Sequence, residues 1–337
     1  MSNLDQADLD RYARIAAEIE SAVAGRIAGQ PELIRQTLVG LLAEGHVLLE
    51  GVPGLGKTEL VKAFAETIGV EFSRVQFTPD LMPADIVGTQ VLEETESGHR
   101  RFEYQAGPVF TNLLLADEIN RATPKTQAAL LEAMQERHVT VAGATRPLPR
   151  PFLVLATQNP IELEGTYPLP EAQLDRFLFK VTVNPPSAEV LEEILRRTTS
   201  GVMAEVPRVA DIETIGSMIS ITPRLPVATH LLRYAARIVE ATHPHGNTAS
   251  PPVKRYVRWG SSPRGAQAMI LAAKAVALID GRPHVTADDI RWAAPSALRH
   301  RLVLGYEATA EGVRSDAIID ELLHEVAEPR AEIRGAP

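Results

Sequence analysis

The sequence contains no cysteine among its 337 residues. This absence excludes disulfide bonds, thiolate catalysis and every zinc site that depends on cysteine ligands. Aromatic residues are also scarce, at 5% of the chain, so the hydrophobic core has to be built mainly from Leu, Ile, Val and Ala. With 45% hydrophobic and 23% charged residues, the composition is that of a globular protein rather than of a disordered chain, a collagen or a coiled coil.

Long apolar runs and an excess of basic charge are missing as well. No apolar run approaches the ~18 residues that cross a bilayer, and the N-terminal residues Met1–Asp5 lack the basic-then-apolar layout of a signal peptide. We therefore expect a cytoplasmic protein with no membrane insertion. Acidic residues outnumber basic ones by 43 to 34, for a net charge of −9. This balance disfavours nucleic acid as a partner, although it leaves room for a local basic patch.

The spacing of apolar residues changes along the chain. Helical spacing runs from about Leu9 to Leu42, and beyond Pro185-Pro186 it is again the only pattern. Between them lie five candidate strands, at His46–Leu49, Phe72–Phe77, Leu113–Ala116, Phe152–Ala156 and Phe177–Val183. Near-continuous apolar strands separated by helices predict a parallel sheet buried on both faces. We therefore predict an α/β domain over residues 1–186 and a helical domain over residues 187–328.

A glycine-rich segment after the first strand matches the pattern G-x-x-x-x-G-K-[ST] at every fixed position. This phosphate loop consists of Gly51, Val52, Pro53, Gly54, Leu55, Gly56, Lys57 and Thr58, and the next residue, Glu59, is counted with the site. Its glycines let backbone N–H groups surround a β-phosphate at the positive end of a helix. We expect Lys57 to reach the β- and γ-phosphates and the Thr58 hydroxyl to ligate Mg²⁺.

Two carboxylates, Asp117 and Glu118, end the apolar strand Leu113–Ala116. The carboxyl end of a buried strand is where an α/β sheet places its ligand site. We expect Asp117 to hold Mg²⁺ through its water shell and Glu118 to polarise an attacking water. Asn159 follows the next apolar strand, from which it would orient the same water on the opposite side.

With these motifs the chain resembles the AAA+ ATPases and, within them, the MoxR family. The resemblance runs from about Ile27 to Arg301. Its specific segments are Gly107–Phe110, Asp117–Ala122, Ala156–Pro160, Pro170–Phe177 and Ser262–Arg264. It implies a phosphate-loop α/β domain with N-terminal helices and a C-terminal all-helical lid domain. Residues 329–337 are expected to form a frayed tail.

The resemblance also implies roles for single residues outside the phosphate loop. Asn159 is similar to the first sensor, and Arg264 to the second sensor at the start of a lid helix. Arg176 is similar to the arginine finger that completes a neighbouring subunit's site. Arg121, next to the acid pair Asp117 and Glu118, competes for that role between subunits.

Further parts of the chain are similar to the family in position. Ile27 and Ala28 resemble the segment that lines the adenine pocket, and Gln76 lies where relatives carry a polar residue that restrains the catalytic Glu. Residues 90–104, with a turn at 96–101, and residues 138–148 resemble hairpin insertions that face the pore of a ring or a partner.

The function implied by the resemblance is Mg²⁺-dependent hydrolysis of ATP to ADP and phosphate by a homo-oligomeric ring, with a hexamer expected. The output would be chaperone-like remodelling or activation of a protein client, often one with a von Willebrand factor A domain. Three alternatives stay open: a nucleic-acid motor, the ATPase subunit of a metal chelatase, and a nucleotide-gated scaffold with little turnover. The acidic charge argues against the motor, and the presence of both Glu118 and Asn159 argues against the scaffold.

Overall fold

The computed structural model describes residues 5–52, 54–94, 100–160, 165–199 and 205–328. Pro53, most of the turn predicted at 96–101 and the tail predicted at 329–337 lie outside the described residues. None of the helices in the described ranges is long and apolar enough to cross a membrane.

Helices and strands alternate in the first part of the described chain, and helices dominate the second. The α-helices are α1 (Gln6–Arg26), α2 (Pro31–Leu42), α3 (Lys57–Ile68), α4 (Pro83–Val87), α5 (Pro124–Glu136), α6 (Glu171–Leu174), α7 (Ala188–Thr198), α8 (Ile212–Ile221), α9 (Thr229–Ala241), α10 (Pro251–Tyr256), α11 (Pro263–Ile279), α12 (Ala287–Leu298), α13 (Tyr306–Glu311) and α14 (Ser315–Glu325). The strands are β1 (Val47–Glu50), β2 (Phe72–Gln76), β3 (Gly88–Glu94), β4 (Arg100–Ala106), β5 (Leu113–Asp117), β6 (His138–Val141), β7 (Ala144–Pro147), β8 (Leu153–Gln158), β9 (Phe179–Thr182), β10 (Val257–Trp259) and β11 (Val303–Leu304). Short 3₁₀ turns lie at Ile119–Arg121 and Thr222–Arg224.

The core of the first part is a five-stranded sheet in the order β2-β5-β8-β1-β9. All of its strand pairs are parallel, with Leu48 opposite Ala156 and Leu114 opposite Val154. Alternate side chains of these strands enter two different hydrophobic clusters, so both faces of the sheet are covered. The predicted parallel α/β core is therefore confirmed, with strand ends that differ from the predicted ones by at most two residues.

The sheet order places the site. In parallel strands the carboxyl ends meet at one edge, and here β5, β8 and β1 are neighbours. The phosphate loop follows β1, the acid pair ends β5, and Asn159 follows β8. Motifs far apart in sequence therefore meet at one edge of the sheet.

Two antiparallel hairpins, β3–β4 and β6–β7, project from the α/β core. They overlap the two insertions predicted at 90–104 and 138–148, and the β3–β4 pairing extends two residues further at each end than predicted. The Arg146 guanidinium of β7 stacks over the Tyr104 ring of β4 at 3.7 Å from the ring centroid, which joins the hairpins to each other.

The C-terminal part is a helical lid, as predicted. α11 packs against α1 and α2, and α12 packs against β9, so one hydrophobic cluster runs through both parts. The prediction that the lid is all helical misses a short ribbon, in which β10 pairs antiparallel with β11. These strands are too short for an alternating pattern to be read from the sequence.

Candidate active site

The phosphate loop takes its shape from its glycines. Gly54 and Gly56 have φ angles of 84° and 75°, in the left-handed region that a Cβ atom disfavours. Lys57 begins α3, and its Nζ atom donates a hydrogen bond of 2.7 Å to the Gly51 carbonyl. The ammonium group is thereby held over the loop, at the positive end of the helix.

The acid pair lies opposite the loop and is tied to β8 by Thr157. The Thr157 hydroxyl donates to Asp117 Oδ1 at 2.7 Å and accepts from the Glu118 backbone N–H at 2.8 Å. Glu118 has a φ angle of 56°, which is uncommon for a residue other than glycine. Its Oε2 atom accepts from Gln76 Nε2 at 3.0 Å and lies 3.1 Å from Arg121 Nε. The Glu118 carboxylate is therefore held in place from two sides.

Arg74 is a site residue that the sequence analysis missed. Its guanidinium donates to Asp117 Oδ2 from Nη2 at 2.6 Å and from Nε at 3.2 Å, and it donates to Gln76 Oε1 at 2.9 Å. Arg74 and Gln76 lie two residues apart on β2, so they share a face of the strand. Since alternate residues of a strand lie on the same face, the position of Arg74 two residues before Gln76 is the sequence signal that could have identified it.

One cavity of about 280 Å³ brings the loop and the acid pair together. Its lining residues are Gly51, Gly54, Leu55, Gly56, Lys57, Thr58, Glu59, Arg74, Gln76, Asp117, Glu118, Thr157, Gln158 and Asn159. Burial lowers the pKa of the Lys57 ammonium, while nearby carboxylates act the other way. The Thr58 hydroxyl and the Asp117 carboxylate are hard oxygen donors of the kind that Mg²⁺ prefers, so the donor set fits this metal.

Ile27 and Ala28, predicted to line the adenine pocket, are not among the residues that line this cavity. Both are buried in the turn between α1 and α2. The Gln30 side chain, just beyond them, donates to the Leu55 carbonyl of the phosphate loop at 3.4 Å. The segment predicted for adenine is therefore joined to the loop at one edge of the cavity.

Glu59 lines the cavity, and its carboxylate forms ion pairs with two basic side chains of the same chain. Arg26 at the end of α1 lies 2.9 Å from Glu59 Oε2, and Lys62 lies 3.3 Å from Oε1. Partial burial acts to raise the pKa of Glu59, and the hydrogen bonds from Arg26 and Lys62 outweigh it, so the pKa is lowered. These contacts fasten α1 to the first turn of α3.

Arg176 and Arg264 lie together, away from the phosphate loop. They line a second cavity of about 260 Å³, which we call the arginine cavity, together with Ala43, Glu44, Gly45, His46, Met134, Gln135, Arg137, Asp175, Leu178, Gln267, Ala268, Leu271 and Arg301. Residues 43–46 precede β1, whereas the phosphate loop follows it. The two cavities are therefore separated by the length of β1, roughly 13 Å at ~3.3 Å per residue.

Comparison with known proteins agrees with this geometry. Residues 46–179 match the family model described as "ATPase family associated with various cellular activities (AAA)", and residues 252–322 match the AAA lid domain. The chain is 48% identical over 307 residues to Chaperone MoxR1 of Mycobacterium tuberculosis, which covers 90% of this chain and 80% of that protein. It is 33% identical over 346 residues to Protein MoxR of Paracoccus denitrificans, which covers 96% and 98%. A crystal structure from Cytophaga hutchinsonii, 39% identical, superposes with a TM-score of 0.89 over 96% of this chain and 97% of that one.

A parallel sheet with a phosphate loop after β1, an acid pair after β5 and a helical lid defines an ATPase of the AAA+ class. Within that class the chain belongs to the MoxR family. The resemblance seen in the sequence is thereby confirmed, and with it a nucleotide-binding ATPase of this family.

Proposed function

We propose that this ATPase hydrolyses ATP to ADP and phosphate at sites shared between copies of the chain in a ring, with a hexamer as the expected size. Turnover would remodel or activate a protein partner. The observation that carries the proposal is the separation of Arg176 and Arg264 from their own phosphate loop. Arginines that neutralise a γ-phosphoryl group have to contact it, and in this chain they are at the other end of β1.

In the proposed site the phosphate loop binds ATP. Backbone N–H groups of the loop and the N-terminus of α3 surround the phosphates, and Lys57 neutralises the β- and γ-phosphate charge. Thr58 and Asp117 would hold Mg²⁺, which when bound would supply positive charge that offsets the negative charge of the phosphates. Ile27 and Ala28, in the turn between α1 and α2, would contact the adenine ring.

Hydrolysis in this proposal needs a polarised and oriented water. Glu118 is the base, and its left-handed turn directs the carboxylate from the end of β5 into the cavity. Asn159, buried at the end of β8, would hold the water from the other side. The hydrogen bond from Gln76 would restrain Glu118 Oε2 until this oxygen polarises the water.

Arg176 is the better candidate for the residue that acts between subunits. Arg121, its competitor, lies 3.1 Å from the Glu118 carboxylate of its own chain, so its charge is engaged at its own site. Arg176 instead lies in the arginine cavity with Arg264. We therefore propose that both arginines contact the nucleotide of the adjacent copy.

A protein client suits the surface better than nucleic acid does. The net charge is −9, and the β3–β4 hairpin presents the cross-strand pair Leu92 and Phe102, which are 54% and 70% exposed. The relative from Mycobacterium tuberculosis is named a chaperone. We propose that this protein partner carries a von Willebrand factor A domain. The cytoplasmic location of the chain stays a prediction.

The test measures assembly and turnover on the same samples. Light scattering with ATP should detect a large species for wild type and Glu118→Gln, but only small species for Lys57→Ala, because bound nucleotide stabilises the interface by mass action. Phosphate release per chain should also rise with chain concentration until assembly is complete. Turnover per chain that is independent of concentration, in a sample that stays monomeric, would overturn the shared site.

A further inference from the structure

Arg301 is a buried arginine whose five N–H donors are all used. It follows α12 in the lid, and its side chain is only 3% exposed. Its Nε donates to Asp175 Oδ1 at 2.8 Å, and its Nη2 donates to the Asp175 and Phe177 carbonyls at 2.9 and 2.7 Å. Its Nη1 donates to the Leu178 carbonyl at 3.2 Å and to the Ala297 carbonyl. A guanidinium has five such donors, so the group is fully satisfied.

Four of these hydrogen bonds go to residues 175–178, which we call the finger segment because Arg176 lies within it. His300, beside Arg301, adds a contact of 3.1 Å between its Nε2 atom and the Phe177 carbonyl. The finger segment is thus held by two consecutive lid residues, in addition to the hydrogen bond of 2.8 Å that the Leu178 N–H donates to the His46 carbonyl. A lid that shifts relative to the sheet has to move this segment or break these bonds.

Asp175 connects the same lid residue to Arg264. Its carboxylate accepts from Arg301 and also from the Ser262 hydroxyl, at 2.9 and 3.0 Å to the two oxygens. Ser262 caps α11 by accepting from the Arg264 backbone N–H at 3.2 Å, and Arg264 Nε lies 3.9 Å from Asp175 Oδ2. One carboxylate therefore holds the residue next to Arg176 and the helix end that carries Arg264.

We propose that Arg301 and Asp175 are positioning residues that set Arg176 and Arg264 in one geometry and link both arginines to the position of the lid. This inference rests on the proposed site between copies. Bidentate and multidentate contacts of a guanidinium depend on its planar fork, which a lysine does not reproduce. Arg301→Lys therefore keeps the buried charge and loses the geometry.

The experiment uses mixed assemblies of full-length chains. Arg301→Lys alone should lose about 10- to 100-fold in phosphate release, the effect of a misplaced catalytic group, while its affinity for ATP stays within about 2-fold of wild type because its own phosphate loop is intact. Mixed with Glu118→Gln, it should recover activity, since Glu118→Gln chains supply a correctly placed Arg176 to Arg301→Lys chains. Mixed with Arg176→Ala, it should stay inactive, because neither chain supplies a working arginine.

Two further variants complete the test. Asp175→Asn keeps the side-chain shape and loses the charge, so it should give the same pattern of recovery. If Arg301→Lys does not fold, the result with Asp175→Asn decides. Arg314→Lys is the matched control: Arg314 is an exposed lid arginine with an ion pair to Asp316, and its replacement should leave turnover at the wild-type level.

The outcomes separate this inference from the proposed function. Arg176→Ala mixed with Glu118→Gln serves as the reference for a site shared between copies. If that reference mixture is active and Arg301→Lys and Asp175→Asn each fail to recover with Glu118→Gln, the positioning role is wrong and the shared site stands. Wild-type turnover of Arg301→Lys and Asp175→Asn alone would also overturn the positioning role. An inactive reference mixture of chains that do co-assemble rejects the shared site, and the positioning role with it.

Discussion

Arg74 donates two hydrogen bonds to Asp117 Oδ2, at 2.6 and 3.2 Å. The other oxygen of this carboxylate accepts from Thr157 at 2.7 Å. The acid that we propose as a magnesium ligand is therefore already paired with a side-chain cation. Because a guanidinium and a metal ion compete for the same negative charge, Arg74 opposes metal binding at Asp117.

Arg74→Ala should lower the Mg²⁺ concentration needed for half-maximal nucleotide binding. Arg74 is half exposed, and ion pairs of this kind contribute at most ~1 kcal/mol, which limits the shift to about 5-fold. The measurement is a Mg²⁺ titration of the binding of a fluorescent ATP analogue. Arg74→Lys, which keeps a cation beside Asp117, is the control and should resemble wild type. A Mg²⁺ requirement that rises in Arg74→Ala would show that Arg74 assists the metal or the phosphates.

Lys57→Ala and Glu118→Gln should separate binding from turnover. Lys57→Ala removes the cation at the β- and γ-phosphates, so ATP affinity should fall by about 10- to 100-fold, the range for a charged hydrogen bond. Glu118→Gln keeps the side-chain shape, so it should bind ATP about as tightly as wild type, with turnover lower by ~10²- to 10⁴-fold. Calorimetry and phosphate release measure the two quantities. Glu132→Gln, which replaces an exposed acid of α5, is the control and should keep wild-type turnover. Wild-type turnover in Glu118→Gln would show that Glu118 has no catalytic role.

The parts of the site that could be predicted from the sequence are those with local rules. The phosphate loop needs glycines at fixed positions before a lysine, and the acid pair ends an apolar strand, so both could be recognised from short segments. Asn159 and Arg176 required the resemblance to a family, because a single Asn or Arg after a strand is not specific. Asn159 lines the cavity of the phosphate loop and Arg176 lines the arginine cavity, and the roles of both residues stay predictions.

The missed residues depend on contacts between distant segments. Arg74 meets Asp117 only because β2 pairs with β5 in one register, and Arg301 meets Asp175 across 126 positions. Strand register and lid docking follow from packing of the whole core, which cannot be read from short segments of one sequence. The same reason explains why Arg176 and Arg264 could be assigned roles separately while their shared cavity could not be predicted.

His46 gives a prediction for stability at acid pH. Burial lowers its pKa from 6.5 to about 4, and the Arg137 charge acts in the same direction. Its Nδ1 accepts from the Val154 N–H at 3.0 Å, and its Nε2 lies 3.0 Å from the Met134 carbonyl. The neutral ring thus satisfies both contacts. A proton on Nδ1 would instead face the Val154 N–H, so that two donors would point at each other.

The folded state should therefore lose stability as the pH falls below 6.5, because the unfolded chain then takes up a proton that folded His46 refuses down to about pH 4. Between pH 7 and pH 5 this one group should lower the free energy of unfolding by about 2 kcal/mol. Urea denaturation at pH 7 and pH 5 measures the difference in the free energy of unfolding between the two pH values. In His46→Phe this difference should be smaller by about 2 kcal/mol. The control replaces the exposed His245 in the same way. An unchanged difference in His46→Phe would mean that His46 is not kept neutral by the fold.

The most direct test of the shared site mixes Arg176→Ala with Glu118→Gln and measures phosphate release. Each variant alone should be nearly inactive, since an arginine finger can contribute ~10³–10⁵ in rate and we propose Glu118 as the general base. In a randomly mixed ring about a quarter of the interfaces would join an intact Glu118 to an intact Arg176 from the next copy. The mixture should therefore reach roughly a quarter of wild-type turnover, far above the sum of its parts. If the two variants co-assemble, as judged by a tag on one of them, and the mixture stays as inactive as each alone, Arg176 does not act between subunits.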